Sequence, residues 1–172
     1  MAIIEMHSSW LAVNSIIGCP NGCKYCLLQA DGNNLAKPRK LASPEVAIKE
    51  LLKCKYYDED IPVCLFPNTD IFVNQSNIDY LMETFDVLEK QKIKNDIIII
   101  TKLFIPDCVI NKVKELKNKG INVVFYISYS GLGKDIEPNI NEDVLKSNFK
   151  RLYENNIRCN FSIGITCKHI IW

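Results

Sequence analysis

Apolar positions along the chain fall into short runs, separated by longer segments with helical spacing. Residues 10–17 predict a strand that leads straight into a cysteine-rich loop. Ser43-Pro44-Glu45 predicts a helix start, with a capping serine, a proline in the first turn and an early acid. Val46, Ala47, Leu51 and Leu52 carry that amphipathic helix to about Cys54. Residues 61–66 predict a second strand, ended by Pro67-Asn68. Ser76 is the expected cap of the next helix, whose core face holds Ile78, Leu81, Met82, Phe85 and Leu88. The β-branched run 96–101 predicts a third strand, buried on both faces. A helix over about 107–119 follows, with Gly120 as its C-terminal cap. Residues 121–128 predict a fourth strand, 130–141 a loop broken by Gly131, Gly133 and Pro138, 142–156 a helix and 158–166 a fifth strand, apolar enough to expect burial on both faces.

Five strands, the first four each followed by a helix, predict consecutive βα units on a parallel sheet. In such sheets the loops after the strands form the functional face. The cysteine loop, Asn68-Thr69-Asp70, Thr101-Lys102, residues 128–130 and Thr166 all fall there. No low-complexity tract or linker divides the chain, so residues 1–172 read as one domain. A barrel of this kind needs a sixth strand. The expectation is therefore an α/β domain lacking its sixth βα unit, with one sheet edge open to a partner chain or to self-association.

Composition changes this picture little. With 48% hydrophobic and 24% charged residues, the chain has the make-up of a soluble globular protein. A formal charge of +1 provides no global field for nucleic acid or membrane. The start carries no secretory signal and the apolar runs are too short to span a bilayer, so a soluble, cytoplasmic protein is expected. Of the eight cysteines, Cys54, Cys64, Cys108, Cys159 and Cys167 are scattered among apolar neighbours and read most simply as small core residues. Cys167 and His169 form a second, weaker candidate for metal donation.

The chemistry concentrates in residues 16–29, IIGCPNGCKYCLLQ, where Cys19, Cys23 and Cys26 are spaced Cys-x3-Cys-x2-Cys. Structural zinc needs four donors, usually in two pairs, and no second pair lies nearby. A thioredoxin-like pair, Cys23 and Cys26, leaves Cys19 unexplained. An iron–sulfur cubane with three thiolate ligands leaves one iron open for a substrate or cofactor, and fits better. Pro20 and Gly22 allow backbone amides to approach the sulfides. Tyr25 can shield the open iron and stack on a purine. A non-catalytic iron–sulfur module and a zinc site stay as alternatives on the residues alone.

With Cys19, Cys23, Tyr25 and Cys26 following a strand, the chain resembles the radical S-adenosylmethionine (radical SAM) superfamily, whose signature is Cys-x3-Cys-x-aromatic-Cys. The resemblance implies a partial (β/α) barrel of the radical SAM type, here shortened to about five parallel strands and four helices. It implies a 4Fe–4S cluster on Cys19, Cys23 and Cys26, and S-adenosylmethionine chelating the fourth iron. It further implies an oxygen-sensitive enzyme that cleaves S-adenosylmethionine reductively to a 5′-deoxyadenosyl radical, which abstracts hydrogen from a substrate that the sequence leaves unspecified. An external electron donor of the flavodoxin or ferredoxin type is implied too. Asn68, Thr69 and Asp70 stand where many members carry a Gly-Gly-Glu segment that binds the amino group; a helix-capping turn is the alternative reading of these three. Asp70, Thr101-Lys102 and Glu137-Pro138 together resemble the spore photoproduct lyase-like branch, in which DNA is repaired. In this resemblance Lys102 pairs with the ligand carboxylate, and Ser128 and Ser130 lie where the ribose is contacted. The chain departs from that branch at Leu27-Leu28-Gln29, where a tyrosine is common. Lys37, Arg39 and Lys40 form the one short basic run that could meet phosphates.

Overall fold

The computed structural model describes residues 2–30, 32 and 35–162. Its main sheet has six strands: β1 (Ile4–Met6), β2 (Leu11–Val13), β5 (Val63–Leu65), β6 (Ile97–Thr101), β7 (Val123–Ser128) and β8 (Cys159–Ser162), adjacent in that order. From β2 to β8 every pairing is parallel, so the five expected parallel strands are present. A two-stranded antiparallel sheet, β3 (Ile16–Ile17) with β4 (Arg39–Lys40), stands apart from it. Four long helices connect the strands: α2 (Pro44–Lys53), α3 (Gln75–Lys90), α4 (Asp107–Asn118) and α5 (Glu142–Glu154); α1 (Leu27–Ala30) is a single turn after the third cysteine. No helix among the described residues is long and apolar enough to cross a membrane.

Alternation along the strands builds two faces. One row, Val13, Leu65, Ile99 and Phe125, pairs strand to strand and belongs to the same core cluster as Ile48, Leu81, Val113 and Leu152 of the helices. The opposite row, Ala12, Cys64, Ile98 and Val124, faces the inside of the open barrel with small or medium side chains. The third strand was expected to be buried on both faces. Instead Ile97 and Ile99 are buried while Ile98 and Ile100 are only half-buried, because the concave face is where the site opens.

Local signals account for most helix ends. Ser43 accepts a hydrogen bond from the Val46 N–H, and Pro44 occupies the first turn. Gly120 has φ of +83° just past α4, the left-handed position that glycine reaches without strain. Helix α3 differs from expectation: Asn74, not Ser76, is the cap, and its side chain accepts from the Asn77 N–H at 2.9 Å. Asparagine caps as well as serine does, and the helix simply starts earlier.

Three other departures have physical causes. The first predicted strand breaks at Asn14-Ser15. Asn14 accepts from Asn68 Nδ2 at 2.9 Å, and the Ser15 carbonyl accepts from the Leu41 N–H at 2.8 Å, which turns Ile16 and Ile17 out of the main sheet. The N-terminal residues add an antiparallel strand, β1, that covers the outer edge of β2. In β8, Asn160 and Phe161 are exposed although burial was expected, because among the described residues no strand pairs on its far side. Of the scattered cysteines, Cys64 is buried in β5, Cys54 and Cys159 pack half-buried against the core, and Cys108 is exposed on α4, so the core reading fails for Cys108. Thr166, Cys167, His169 and the rest of the expected fifth strand lie outside the described residues.

Candidate functional site

The strand–loop–helix units bring the candidate residues to one place. Cys19, Cys23, Tyr25, Cys26, Asn68, Thr69, Asp70, Lys102 and Ser128 all line a single cleft of about 150 Å³ at the C-terminal ends of the parallel strands. A second opening of about 300 Å³ is lined by the same three cysteines together with Pro20, Gly22, Gln29 and Leu35. Ser130 does not line the cleft; its N–H and hydroxyl hold Glu137 behind it, at 3.0 and 2.7 Å.

The cysteine loop is clamped along its length. The Gly18 N–H donates to the Asn68 carbonyl at 3.1 Å, and the Thr69 hydroxyl donates back to the Gly18 carbonyl. Gly18 has φ of +111°, and a Cβ there would sit 2.8 Å from the Lys37 carbonyl oxygen, so only glycine fits between the two passes of chain. Further along, the Lys24 N–H donates to the Ile136 carbonyl at 2.9 Å, and Asn139 donates to the carbonyls of Pro20 and Asn21. The facing turn after β5 is fixed by Phe66, a bulky residue at φ +57°. Such a conformation costs of order 1–3 kcal/mol. It is held here because the ring is buried and packs edge-on against Tyr80 at 5.7 Å.

Asp70 joins these pieces. Its carboxylate is buried and accepts four hydrogen bonds: from Thr101 Oγ1 (2.8 Å), the Phe72 N–H (3.2 Å), the Lys102 N–H (2.7 Å) and Asn21 Nδ2 (3.4 Å). Burial pushes its carboxyl above the ordinary range, and the four donors offset part of that. The bond to Phe72 is the capping turn expected as one reading of this segment. The other three bonds tie the cysteine loop to β6.

Lys102 and Glu137 form the charged centre. Lys102 Nζ lies 2.7 Å from Glu137 Oε1 and 5.6 Å above the Tyr25 ring. The Tyr25 hydroxyl also donates to Glu137 Oε1. Burial alone would raise the Glu137 carboxyl, but hydrogen bonds from Lys102, Tyr25 and Ser130 outweigh it and bring it down to about 2. Burial and the bond to Glu137 raise the Tyr25 hydroxyl.

The three cysteines are free thiols. Burial pushes Cys19 up to about 11; the backbone N–H groups of Asn21 and Asp70 favour its thiolate, while the Asp70 carboxylate disfavours it. Burial raises Cys23 as well, against the pull of Lys102. Amides that favour the thiolate of a desolvated sulfur suit a metal-bound cysteine, because the metal supplies the positive charge that burial otherwise denies it. Among the described residues no three His, Cys, Asp or Glu side chains gather around a single ion. A cubane places each cysteine on a different iron, so its ligands stand wider apart than those of one zinc ion. The donor set and the amide pattern fit the cluster.

Sequence reasoning named none of Asn21, Thr101, Glu137 and Asn139 as a candidate site residue, although it noted the Thr101-Lys102 and Glu137-Pro138 pairs at strand ends. Asn21 lies between two candidate ligands, which is a usable signal. For Asn139 no local signal exists, since its partners are more than a hundred residues away.

No protein-family model and no curated protein sequence matches the chain. Solved structures share its fold, among them two of one enzyme. "Spore photoproduct lyase complexed with dinucleoside spore photoproduct" matches with a TM-score of 0.69 at 15% identity, over 92% of this chain and 46% of that one. A mutant of spore photoproduct lyase with the same dinucleoside matches at 0.69 and 15%, over 94% and 47%. The chain thus spans about half the length of these neighbours, and the partial barrel that the cysteine motif implied is the fold observed.

Proposed function

We propose that the chain is the core of a radical SAM enzyme, with Cys19, Cys23 and Cys26 holding a 4Fe–4S cluster whose open iron takes S-adenosylmethionine. The observation that carries this reading is the convergence of three free thiols with Asn68, Thr69, Asp70, Lys102 and Ser128 on one cleft. When bound and reduced, such a cluster supplies the electron that splits S-adenosylmethionine to methionine and a 5′-deoxyadenosyl radical able to abstract hydrogen from a substrate.

The chain's own residues bind, orient and shield. Lys102 carries the positive charge for the ligand carboxylate, with Ser128 beside it. Asp70 complements an ammonium through its charge, because its own oxygens are engaged by the chain. Asn68 and Thr69 provide polar groups on the same wall of the cleft. The Tyr25 ring, fixed at its hydroxyl by Glu137, forms an aromatic surface beside the third cysteine. Ser130 acts through Glu137.

A second, narrower reading is spore photoproduct lyase-like DNA repair, the fold neighbours being bound to dinucleoside spore photoproduct. One observation favours it: Lys37, Arg39 and Lys40 are exposed on and before β4, next to the cysteine loop at Gly18.

Anaerobic protein reconstituted with iron and sulfide should show a reduced-cluster EPR signal that changes on adding S-adenosylmethionine. Protein that retains zinc and takes up no iron would overturn the proposal. An EPR signal indifferent to S-adenosylmethionine would leave an electron-transfer module.

A further inference from the structure

Lys102 faces the cleft with no hydrogen-bond donor to spare. Its ammonium has three N–H groups, and three acceptors of the chain surround it: the Ser128 carbonyl at 3.1 Å, Ser128 Oγ at 2.9 Å and Glu137 Oε1 at 2.7 Å. Glu137 is better supplied. Besides Lys102 it accepts from the Tyr25 hydroxyl, the Ser130 N–H and Ser130 Oγ. It is 1% exposed and lines not the cleft but a neighbouring cavity, with Tyr129 and Lys134.

We infer that Glu137 is a resident carboxylate occupying the anion position of Lys102, and that it tunes ligand affinity by competing with the incoming carboxylate. This rests on the proposed function, in which Lys102 receives the carboxylate of S-adenosylmethionine. A ligand carboxylate can reach Lys102 only by replacing one of its three partners. Displacing Ser128 puts two anions on one ammonium, and they repel across a poorly solvated gap. Displacing Glu137 leaves that carboxylate with three donors, Tyr25 and the two from Ser130, so no buried oxygen is stranded. Exchange at Glu137 is therefore the path that keeps every polar group satisfied. Its consequence is selectivity: a ligand without a carboxylate gains nothing by disturbing the pair.

The test is S-adenosylmethionine affinity of anaerobic, cluster-loaded wild type and Glu137→Gln, measured by equilibrium dialysis with urea midpoints alongside. Glutamine keeps an acceptor oxygen for Tyr25 or Ser130 and removes the competing charge. The variant should bind about tenfold tighter, the effect of removing one nearby like charge at surface-type dielectric, while unfolding at lower urea. A residue that only props up the loop would give weaker binding together with lower stability. Unchanged or weakened binding overturns the inference. A wild-type structure with the ligand bound provides the second check, independent of how the variant folds. Lys102 Nζ should have left Glu137 for the ligand carboxylate; a pair still closed, with the carboxylate elsewhere, overturns it. No binding at all by cluster-loaded wild type overturns the proposed function itself, and this inference with it.

Discussion

Alanine at Cys19, Cys23 or Cys26 should strip most of the iron and sulfide from anaerobically purified protein, while Cys54→Ala and Cys108→Ala should leave both in place. Each of the three thiols lines the same cleft, and a cubane that loses one of three protein ligands keeps only two anchors. The two control thiols are elsewhere: Cys54 closes the end of α2 against the core, and Cys108 is exposed on α4. The folded state should survive the site substitutions, because Cys19 and Cys26 are only half-buried and the loop is clamped through its backbone. Iron and acid-labile sulfide per chain are the readout. Loss of iron in Cys54→Ala to the same extent would mean that the ligand set is wrong.

Asp70→Ala should be among the most damaging single changes outside the cysteines. It removes an acceptor from two backbone N–H groups, one buried and one part-buried, and from one hydroxyl and one amide at once. A donor stranded in a buried position costs about 1–3 kcal/mol. With partial relaxation a total loss of about 3–5 kcal/mol is expected, a large share of the stability of a domain this size. The same change frees Asn21, so the cysteine loop should lose its tie to β6 and the cluster should be shed faster under oxygen-free chelation. Urea unfolding and the rate of iron release measure the two effects. An Asp70→Ala protein as stable as wild type would show that the four hydrogen bonds carry no net weight.

How far the sequence reaches can be seen residue by residue. The strand around Ile99 was legible because a β-branched run has few other places to go. The start of α2 was legible because Ser43-Pro44-Glu45 satisfies orphan N–H groups with local chemistry. The cysteine spacing needed nothing beyond the chain itself. What failed depended on distant partners. The break at Asn14-Ser15 is invisible in an apolar stretch, since its causes are Asn68 and Leu41. Strand β1 is three residues long, too short for any periodicity, and exists because β2 offers an edge. Exposure of Phe161 follows from its place at the margin of the sheet that the described residues form, and composition contains no such information. In the site, Asp70 was legible as a polar residue at a strand end, but its four donors were not. Glu137 sits in a loop punctuated by Gly133 and Pro138, and only the fold carries it beneath Lys102 and Tyr25.

The central claim is that this cleft holds a cluster and S-adenosylmethionine together, in a geometry fit for reductive cleavage. The most direct measurement is the yield of 5′-deoxyadenosine and methionine after chemical reduction of the anaerobic, reconstituted protein with S-adenosylmethionine. The account predicts both products in equal amounts, lost in Cys19→Ala. A full complement of 4Fe–4S cluster, fully reduced, with S-adenosylmethionine left intact would contradict it.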